Sequence, residues 1–136
     1  MDTNTKRLPK DKRLLPKEGE EQARLFSWAA MHSMEHPELA LLFHIPNGGK
    51  RNKTEAARFQ AEGVKPGVPD LFLPIPRSGY HGMFIELKRQ AGGQVSKEQN
   101  IWIKDLVDQG YRAFVAKGWE EAAREILLYL EGGFDE

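Results

Sequence analysis

Three residues capable of acid–base or metal-binding chemistry interrupt two stretches that otherwise have the composition of buried strands. Asp70 opens the first stretch, and Glu86 and Lys88 end the second. Residues two apart in a strand project from the same face, so Glu86 and Lys88 should lie side by side. If the two strands pair, the carboxylate of Asp70 lies next to that of Glu86.

Two adjacent carboxylates repel each other unless a cation lies between them, and a divalent cation with oxygen ligands meets this need best. Asp70 and Glu86 therefore predict a site for an ion such as Mg²⁺. Such an ion lowers the pKa of its bound water and leaves coordination positions for the oxygens of a phosphodiester. Lys88 would then hold or deprotonate the attacking water, or stabilise negative charge that develops on phosphorus.

A purely structural interpretation of the same residues stays open at this point. Asp70 would cap a turn after Pro69, and Glu86 would form a surface ion pair with Lys88. Patterns this short often match by chance. The functional interpretation is favoured because both stretches are apolar and because Glu21 adds a carboxylate from a predicted helix.

The elements that must position these residues alternate between helix and strand. Periodicity and turn signals predict helices over 18–36, 53–63, 96–110 and 119–132 and strands over 70–75, 82–89 and 111–117, with 39–45 as a further strand or its approach. This order predicts an α/β fold, with a small central mixed β-sheet flanked by helices.

The phase of the first helix separates its acidic residues. Glu21 lies four residues before Leu25 and seven before Trp28, so it projects toward the buried side. Glu20 aligns with Arg24 and projects to solvent. Glu21 is therefore the preferred acid of this helix for the site.

Length and composition restrict the class of protein. A chain of 136 residues predicts one domain, which we place at 17–132 after a basic, flexible N-terminal tail at 1–16. Twenty basic and twenty acidic residues give no net charge that would argue for a polyanionic partner. The absence of cysteine excludes disulfides and thiolate zinc sites. No apolar run approaches the about 18 residues of a membrane span, so we expect a cytoplasmic protein with no membrane partner.

A zinc peptidase is a distant alternative. The segment "HSMEH" places His32 and His36 in the H-x-x-E-H pattern, in which two histidines one helical turn apart share a zinc ion. Pro37 ends the predicted helix immediately afterwards, and no second helical motif clearly provides a third ligand. A coincidence at a helix end explains this segment better.

The motif "GVPD" ending at Asp70, followed by "IELK" at 85–88, resembles the PD-(D/E)xK nuclease superfamily and, more narrowly, its virus-type replication-repair nuclease (VRR-NUC) domain. The resemblance extends from about Glu18 to Leu130. It includes "EEQ" (20–22), "HIPNGGKRN" (44–52), "AEGVKPGVPDLFLP" (61–74), "GMFIELKR" (82–89), "SKEQNIWIKDLVDQGY" (96–111) and "VAKGWEEAAREILLYL" (115–130). The joint pattern is far more specific than the three chemical residues alone.

The resemblance implies a restriction-endonuclease-like fold and a metal-dependent endonuclease that hydrolyses phosphodiester bonds of DNA. It implies that Asp70 and Glu86 are ligands of Mg²⁺ or Mn²⁺, that the carbonyl of Leu87 is a further ligand, and that Lys88 is the catalytic lysine. A glutamate of the first helix and a glutamine after the lysine also line such sites. Glu21 and Gln99 match these positions, with Glu18 and Glu20 as alternatives to Glu21.

The resemblance also bears on partners. We expect DNA contacts from a set of polar and basic residues in segments that flank the site, namely Asn47, Lys50, Arg51, Lys53, Arg89 and Lys97. The chain resembles the stand-alone phage and bacterial members of the family, which implies a homodimer acting on branched DNA such as four-way junctions, in a bacterium or phage-infected host. No organic cofactor is expected. The alternative of another class is a non-catalytic nucleic-acid-binding or assembly module on the same fold.

Overall fold

The computed structural model of the chain describes residues 17–46 and 52–133. The predicted tail at 1–16 therefore lies outside the described residues, as do Asn47, Lys50 and Arg51. Within the described ranges the elements are α1 (Glu18–Met31), a 3₁₀ helix (Pro37–Leu41), β1 (Phe43–His44), α2 (Lys53–Ala61), β2 (Leu71–Leu73), β3 (Met83–Lys88), α3 (Lys97–Asp108), β4 (Arg112–Lys117) and α4 (Trp119–Leu130).

The described strands form one mixed sheet in the order β1-β2-β3-β4. The pairs β1–β2 and β2–β3 are antiparallel, and β3–β4 is parallel. A parallel pair needs a long crossover, which α3 supplies. The prediction of an α/β fold with a small mixed sheet and flanking helices is confirmed.

The register between β2 and β3 decides where the chemical residues lie. Leu71 pairs with Ile85, and Phe72 pairs with Phe84. One further step of the same register sets Asp70 opposite Glu86. The predicted juxtaposition of these two residues therefore follows from the observed strand pairing.

One face of the sheet, here called the core face, packs against α1 and α4. Leu71 and Ile85 are fully buried there, and the α1–α4 contact is among the most extensive between elements. The apolar cluster between these layers contains Leu25, Ala29, Leu71, Leu73, Met83, Ile85, Leu87, Ala116, Ala122, Ile126 and Tyr129, among others. Strand alternation sends the side chains of Phe84, Glu86 and Lys88 to the opposite face.

Two local features fix α3 over this opposite face. Ser96 and Gln99 form a capping box, in which each side chain accepts a hydrogen bond from the other residue's backbone N–H. Gly67 has a φ of +90°, and a Cβ there would lie 2.6 Å from the backbone carbon of Glu98. Only glycine allows this close approach, which packs the loop before Asp70 against the start of α3.

The segment between α1 and β1 differs from its prediction. The α-helix ends at Met31 rather than continuing to Pro37, and the expected strand at 39–45 is reduced to the two residues of β1. Pro37 starts a 3₁₀ helix instead, which buries Leu39. Proline is tolerated in the first turn of a helix. It has no backbone N–H, so it cannot donate a hydrogen bond to a neighbouring strand. In the part of the chain that the structure describes, no helix has the length and apolar character needed to cross a bilayer.

Candidate active site

Three carboxylates from three different elements converge where β2 begins and β3 ends. Glu18, Asp70 and Glu86 each offer one oxygen, and these oxygens all lie within 4.8 Å of one another. Glu18 is exposed at the first turn of α1, and Asp70 is half-buried just before β2. Glu86 is only 1% exposed. The cluster thus extends from solvent into the protein.

The backbone holds Asp70 in a fixed position. Its Oδ2 accepts a hydrogen bond of 3.0 Å from the backbone N–H of Leu87. Its own carbonyl accepts one of 2.6 Å from the N–H of Ile45 and one of 3.0 Å from Nδ1 of His44. Asp70 is therefore joined to the strands on both sides of it.

The two oxygens of Glu86 have different surroundings. Oε2 accepts a hydrogen bond of 2.8 Å from Nε2 of Gln99 and lies 3.2 Å from Nζ of Lys88. Oε1 is buried, and no described residue donates a hydrogen bond to it. An unsatisfied buried acceptor typically costs about 1–3 kcal/mol. This oxygen is consistent with a ligand position for a cation.

Burial raises the pKa values of both carboxyl groups, and repulsion by Asp70 adds to the rise at Glu86. The pKa of Glu86 rises to about 7, first because burial penalises its charged form and second because Asp70 is negative, although Lys88 opposes both effects. Burial also raises the pKa of Asp70, against the opposing hydrogen bond from Leu87. When both groups of such a pair are ionised, they repel each other. The pair therefore holds a second negative charge more easily when a cation is bound.

Lys88 lies between the buried and the exposed acid. It is 7% exposed, and its Nζ is 3.2 Å from Oε2 of Glu86 and 3.9 Å from Oε1 of Glu18. One lysine does not neutralise three carboxylates, so the site carries net negative charge when all are ionised. The ammonium is thus held beside the acids and not in solvent.

The donor set fits a hard divalent cation. Carboxylate oxygens are the ligands that Mg²⁺ and Mn²⁺ prefer, and the buried Oε1 of Glu86 gains a partner if such an ion binds. The assignment of the Leu87 carbonyl as a further ligand stays a prediction. The identity of the ion is likewise open between the two.

Glu21, the preferred acid of α1, has other partners. It is fully buried, as its helix phase predicts. Its Oε1 accepts a hydrogen bond of 3.0 Å from the backbone N–H of Trp119, and its Oε2 accepts one of 3.2 Å from Nε2 of Gln90. Glu21 therefore joins α1 to the first turn of α4 and to the chain just after β3. Its assignment as a catalytic residue stays a prediction.

The remaining predicted residues are placed as follows. Gln99 reaches the site through Glu86, and Arg89 follows Lys88 directly in a half-buried position. Lys53 and Lys97 are exposed at the first turns of α2 and α3. Their contacts with DNA stay predictions.

The two histidines of the zinc alternative lie away from the acidic cluster and have local partners. Nδ1 of His32 is 2.9 Å from the carbonyl of Trp28, and Nε2 of His36 is 3.6 Å from a carboxylate oxygen of Glu131. Among the described residues, the group with metal-binding geometry is the one formed by Glu18, Asp70 and Glu86.

Sequence reasoning ranked Glu18 below Glu21 and did not consider Gln90. Glu18 and Glu21 are three residues apart and share a helix face, so phase alone does not separate them; Glu18 is one turn nearer the helix start. Gln90 lies in the turn just after β3, beyond the strand alternation that relates Glu86 to Lys88. No local pattern in the sequence identifies it.

Comparisons with known proteins agree on one family. The family model for the VRR-NUC domain matches residues 10–120, so the match begins inside the predicted tail. A solved structure named "VRR_NUC domain protein" is similar, with a TM-score of 0.76 and 31% sequence identity over 90% of this chain and 94% of that chain. No curated protein matches. The chain belongs to the VRR-NUC domain family, a nuclease-type family.

Proposed function

We propose that this member of the VRR-NUC family is a Mg²⁺- or Mn²⁺-dependent DNA endonuclease. The observation that supports this most strongly is the buried Oε1 of Glu86, an acceptor with no donor among the described residues, inside a cluster of three carboxylates. A packing role for this acid would pair both oxygens. A metal-binding role leaves one oxygen for the ion.

Glu18, Asp70 and Glu86 would hold the ion, and the Leu87 carbonyl would be a further ligand. When bound, the ion supplies a water of lowered pKa and a positive charge for the phosphodiester oxygens. The chain positions these ligands before the ion arrives. Asp70 is fixed by the N–H of Leu87, and Gln99 orients Glu86 by donating to its Oε2.

Lys88 would act directly on the reacting groups. Its Nζ carries three donors and lies at the boundary between the buried Glu86 and the exposed Glu18. From this position it would hold the attacking water, or neutralise the charge that develops on the phosphoryl oxygens. Both roles need the ammonium close to the metal ligands.

The substrate in this proposal is DNA, with selectivity for branched forms such as four-way junctions, and the active species is a homodimer. A two-fold dimer can place two sites on a symmetric junction. Phosphate contacts would come from Lys53, Arg89 and Lys97 and from the segment at 47–51 with Asn47, Lys50 and Arg51.

The test is cleavage of labelled four-way junction and linear duplex DNA with Mg²⁺, Mn²⁺ or EDTA, by wild type and Lys88→Ala. We expect metal-dependent cutting that the variant reduces by at least about 100-fold. Lys104→Ala, an exposed lysine paired with Asp108 on α3, is a matched control that should cut normally.

Two results would contradict the proposal. If folded wild-type protein binds DNA but cuts neither substrate with either metal, the alternative of a non-catalytic binding module replaces it. If Lys88→Ala cuts as fast as wild type, the catalytic assignment of the site is wrong. The oligomeric state is measured separately by light scattering.

A further inference from the structure

A row of aromatic side chains continues from the carboxylates along the same sheet face. Phe72 and Phe84 are register partners, and each lies two residues from an acid of the site, Asp70 and Glu86 respectively. Side chains two residues apart in a strand share a face. Phe43 is in turn the register partner of Phe72 on β1. The aromatic row, defined as Phe43, Phe72 and Phe84, thus crosses three strands beside the active site.

The inner two members of the row hold each other. The rings of Phe72 and Phe84 are stacked, with centroids 4.1 Å apart and planes at 15°. Tyr111 packs its ring edge-to-face against Phe84 at 5.3 Å. These contacts leave Phe72 and Phe84 half-buried. They form a rigid support and not an accessible surface.

Phe43, the outer member, is accessible. Its ring meets that of Phe72 at 78° with centroids 5.9 Å apart, and the residue is 47% exposed. An exposed aromatic on a strand at the sheet margin is an association risk that proteins usually avoid. Its position beside the carboxylate cluster is better explained by a role in binding.

The distance from Phe43 to the acids is short. Phe43 is one strand over and two residues along from Asp70, and sheet geometry makes these components about 4.8 Å and about 6.7 Å. The backbone link is direct, because the N–H of Ile45 donates to the carbonyl of Asp70. A group on Phe43 is therefore a close neighbour of any phosphate at the carboxylates.

We propose that Phe43 is a stacking platform for an unpaired nucleobase of the DNA strand that is cut, with its ring supported by Phe72, which in turn stacks on Phe84. This inference rests on the proposed nuclease function and specifies part of its substrate. A base within a duplex has both faces covered by its neighbours, whereas an unpaired base has a face to offer. Proteins that bind single strands combine such aromatic stacking with backbone contacts.

The experiment compares two DNAs of the same sequence, a blunt duplex and a duplex with a short unpaired flap. For each, kcat/KM is measured in Mg²⁺ or Mn²⁺, and Kd is measured by fluorescence anisotropy in EDTA. The proteins are wild type, Phe43→Ala, Phe43→Trp and the control Met34→Ala, which removes another exposed apolar side chain (94% exposed). A 2-aminopurine scan along the flap locates the stacked base by its quenching.

We expect Phe43→Ala to lower kcat/KM and raise Kd for the flap DNA by roughly ten-fold, which is within the range for loss of one base–aromatic stack. Its values for blunt duplex should change less than two-fold. Phe43→Trp should restore the flap values, and one flap position should lose 2-aminopurine quenching only in Phe43→Ala. The restoration separates stacking from a general loss of structure.

Equal effects on both DNAs, or no effect on either, would overturn the inference. A shift of Phe43→Ala from dimer to monomer in light scattering, with flap-specific binding unchanged, would assign the aromatic row to a second copy of the chain and also overturn it. If the wild-type protein cuts no DNA, the proposed nuclease function is wrong, independently of the role of Phe43. The anisotropy and quenching data in EDTA still decide the role of Phe43 in that case.

Discussion

The two faces of the β2–β3 strand pair are built from alternate residues of the same short segments, yet they have opposite physical character. On the core face, Leu71 and Ile85 are buried among apolar side chains of α1 and α4. The opposite face of the sheet carries the proposed active site and is here called the active-site face. There, Glu86 and Lys88 are nearly as buried as Leu71 and Ile85, but their side chains are ionisable. Burial therefore provides apolar packing on one face and raises the pKa values of carboxyl groups on the other.

Burying these acids should lower the stability of the protein when no cation is bound. Glu86 keeps one unsatisfied buried oxygen, and its pKa of about 7 shows that its surroundings disfavour the carboxylate form. The core face offsets this with close apolar packing. Functional sites commonly break local rules in this way and depend on the rest of the fold for stability.

The largest expected effect is a difference in the free energy of unfolding between substitutions of two neighbouring residues on opposite faces, Ile85 and Glu86. Ile85→Ala removes core contacts and should lower the free energy of unfolding by about 2–5 kcal/mol. Glu86→Gln should lower it by less than about 1 kcal/mol at pH 8, or raise it, because the amide removes a buried charge. Urea denaturation of both variants measures this. Equal destabilisation would mean that Glu86 is a structural residue like Ile85.

The free energy of unfolding should depend on pH because Glu86, on the active-site face, has a raised pKa. Unfolded chains release the Glu86 proton near the ordinary value of 4.5, whereas the native metal-free protein keeps it until about pH 7. Native protein binds more protons in this window, so its free energy of unfolding falls as pH rises from 4.5 to 7 and then levels off. The pKa rises from 4.5 to about 7, and one pKa unit is about 1.4 kcal/mol, so the fall from this group is at most about 3 to 4 kcal/mol.

Urea denaturation between pH 4 and 8 in EDTA, for wild type and Glu86→Gln, isolates this group. The raised pKa of Asp70 acts with the same sign in both proteins. The wild-type curve should fall more steeply than that of the variant. Parallel curves would show that burial does not perturb Glu86 in the native state.

Substitutions of Glu18 and Glu21, both on α1, should separate stability from metal binding. Glu21→Gln should lower the free energy of unfolding by about 1–3 kcal/mol, because an amide NH₂ then faces either the N–H of Trp119 or the NH₂ of Gln90. Glu18→Gln is exposed and should change stability by less than about 0.5 kcal/mol. Only Glu18→Gln should weaken Mn²⁺ affinity. The reverse pattern would return Glu21 to the metal site.

The smallest effects should come from single lysines that contact DNA phosphates. Lys53→Ala and Lys97→Ala should leave stability unchanged and should each reduce the slope of log Kd against log salt by about one. Anisotropy titrations from low to moderate salt measure the slope. Lys104→Ala should keep the wild-type slope, and a loss there would mean that the effect is one of overall charge.

The sequence predicted the strand pair and the juxtaposition of Asp70 and Glu86 because alternation in a strand is local and strong. Asp70, Glu86 and Lys88 stood out as charges in apolar strands, and the observed register brings Asp70 and Glu86 together. The helix predicted over 96–110 is observed as α3, which Ser96 caps at its start. These features depend on residues close in sequence.

The sequence was less informative where the position of a side chain depends on how elements pack. Helix phase placed Glu21 correctly on the buried side, but the docking of α1 directs it to Trp119 and leaves Glu18 beside the carboxylates. The apolar run at 39–45 buries Leu39 within a 3₁₀ helix and Leu42 just after it. Only two residues, Phe43 and His44, then remain for β1. The aromatic row, likewise, is visible only once the strand register is known.

The central claim is that the acids of the active-site face form a divalent metal site, and calorimetric titration of Mn²⁺ into the folded protein at pH 8 without DNA tests it most directly. The account predicts saturable binding that Asp70→Asn and Glu86→Gln abolish and that Glu21→Gln retains. Saturable binding that persists in Glu86→Gln, or no binding to a protein that still cuts DNA, would contradict it.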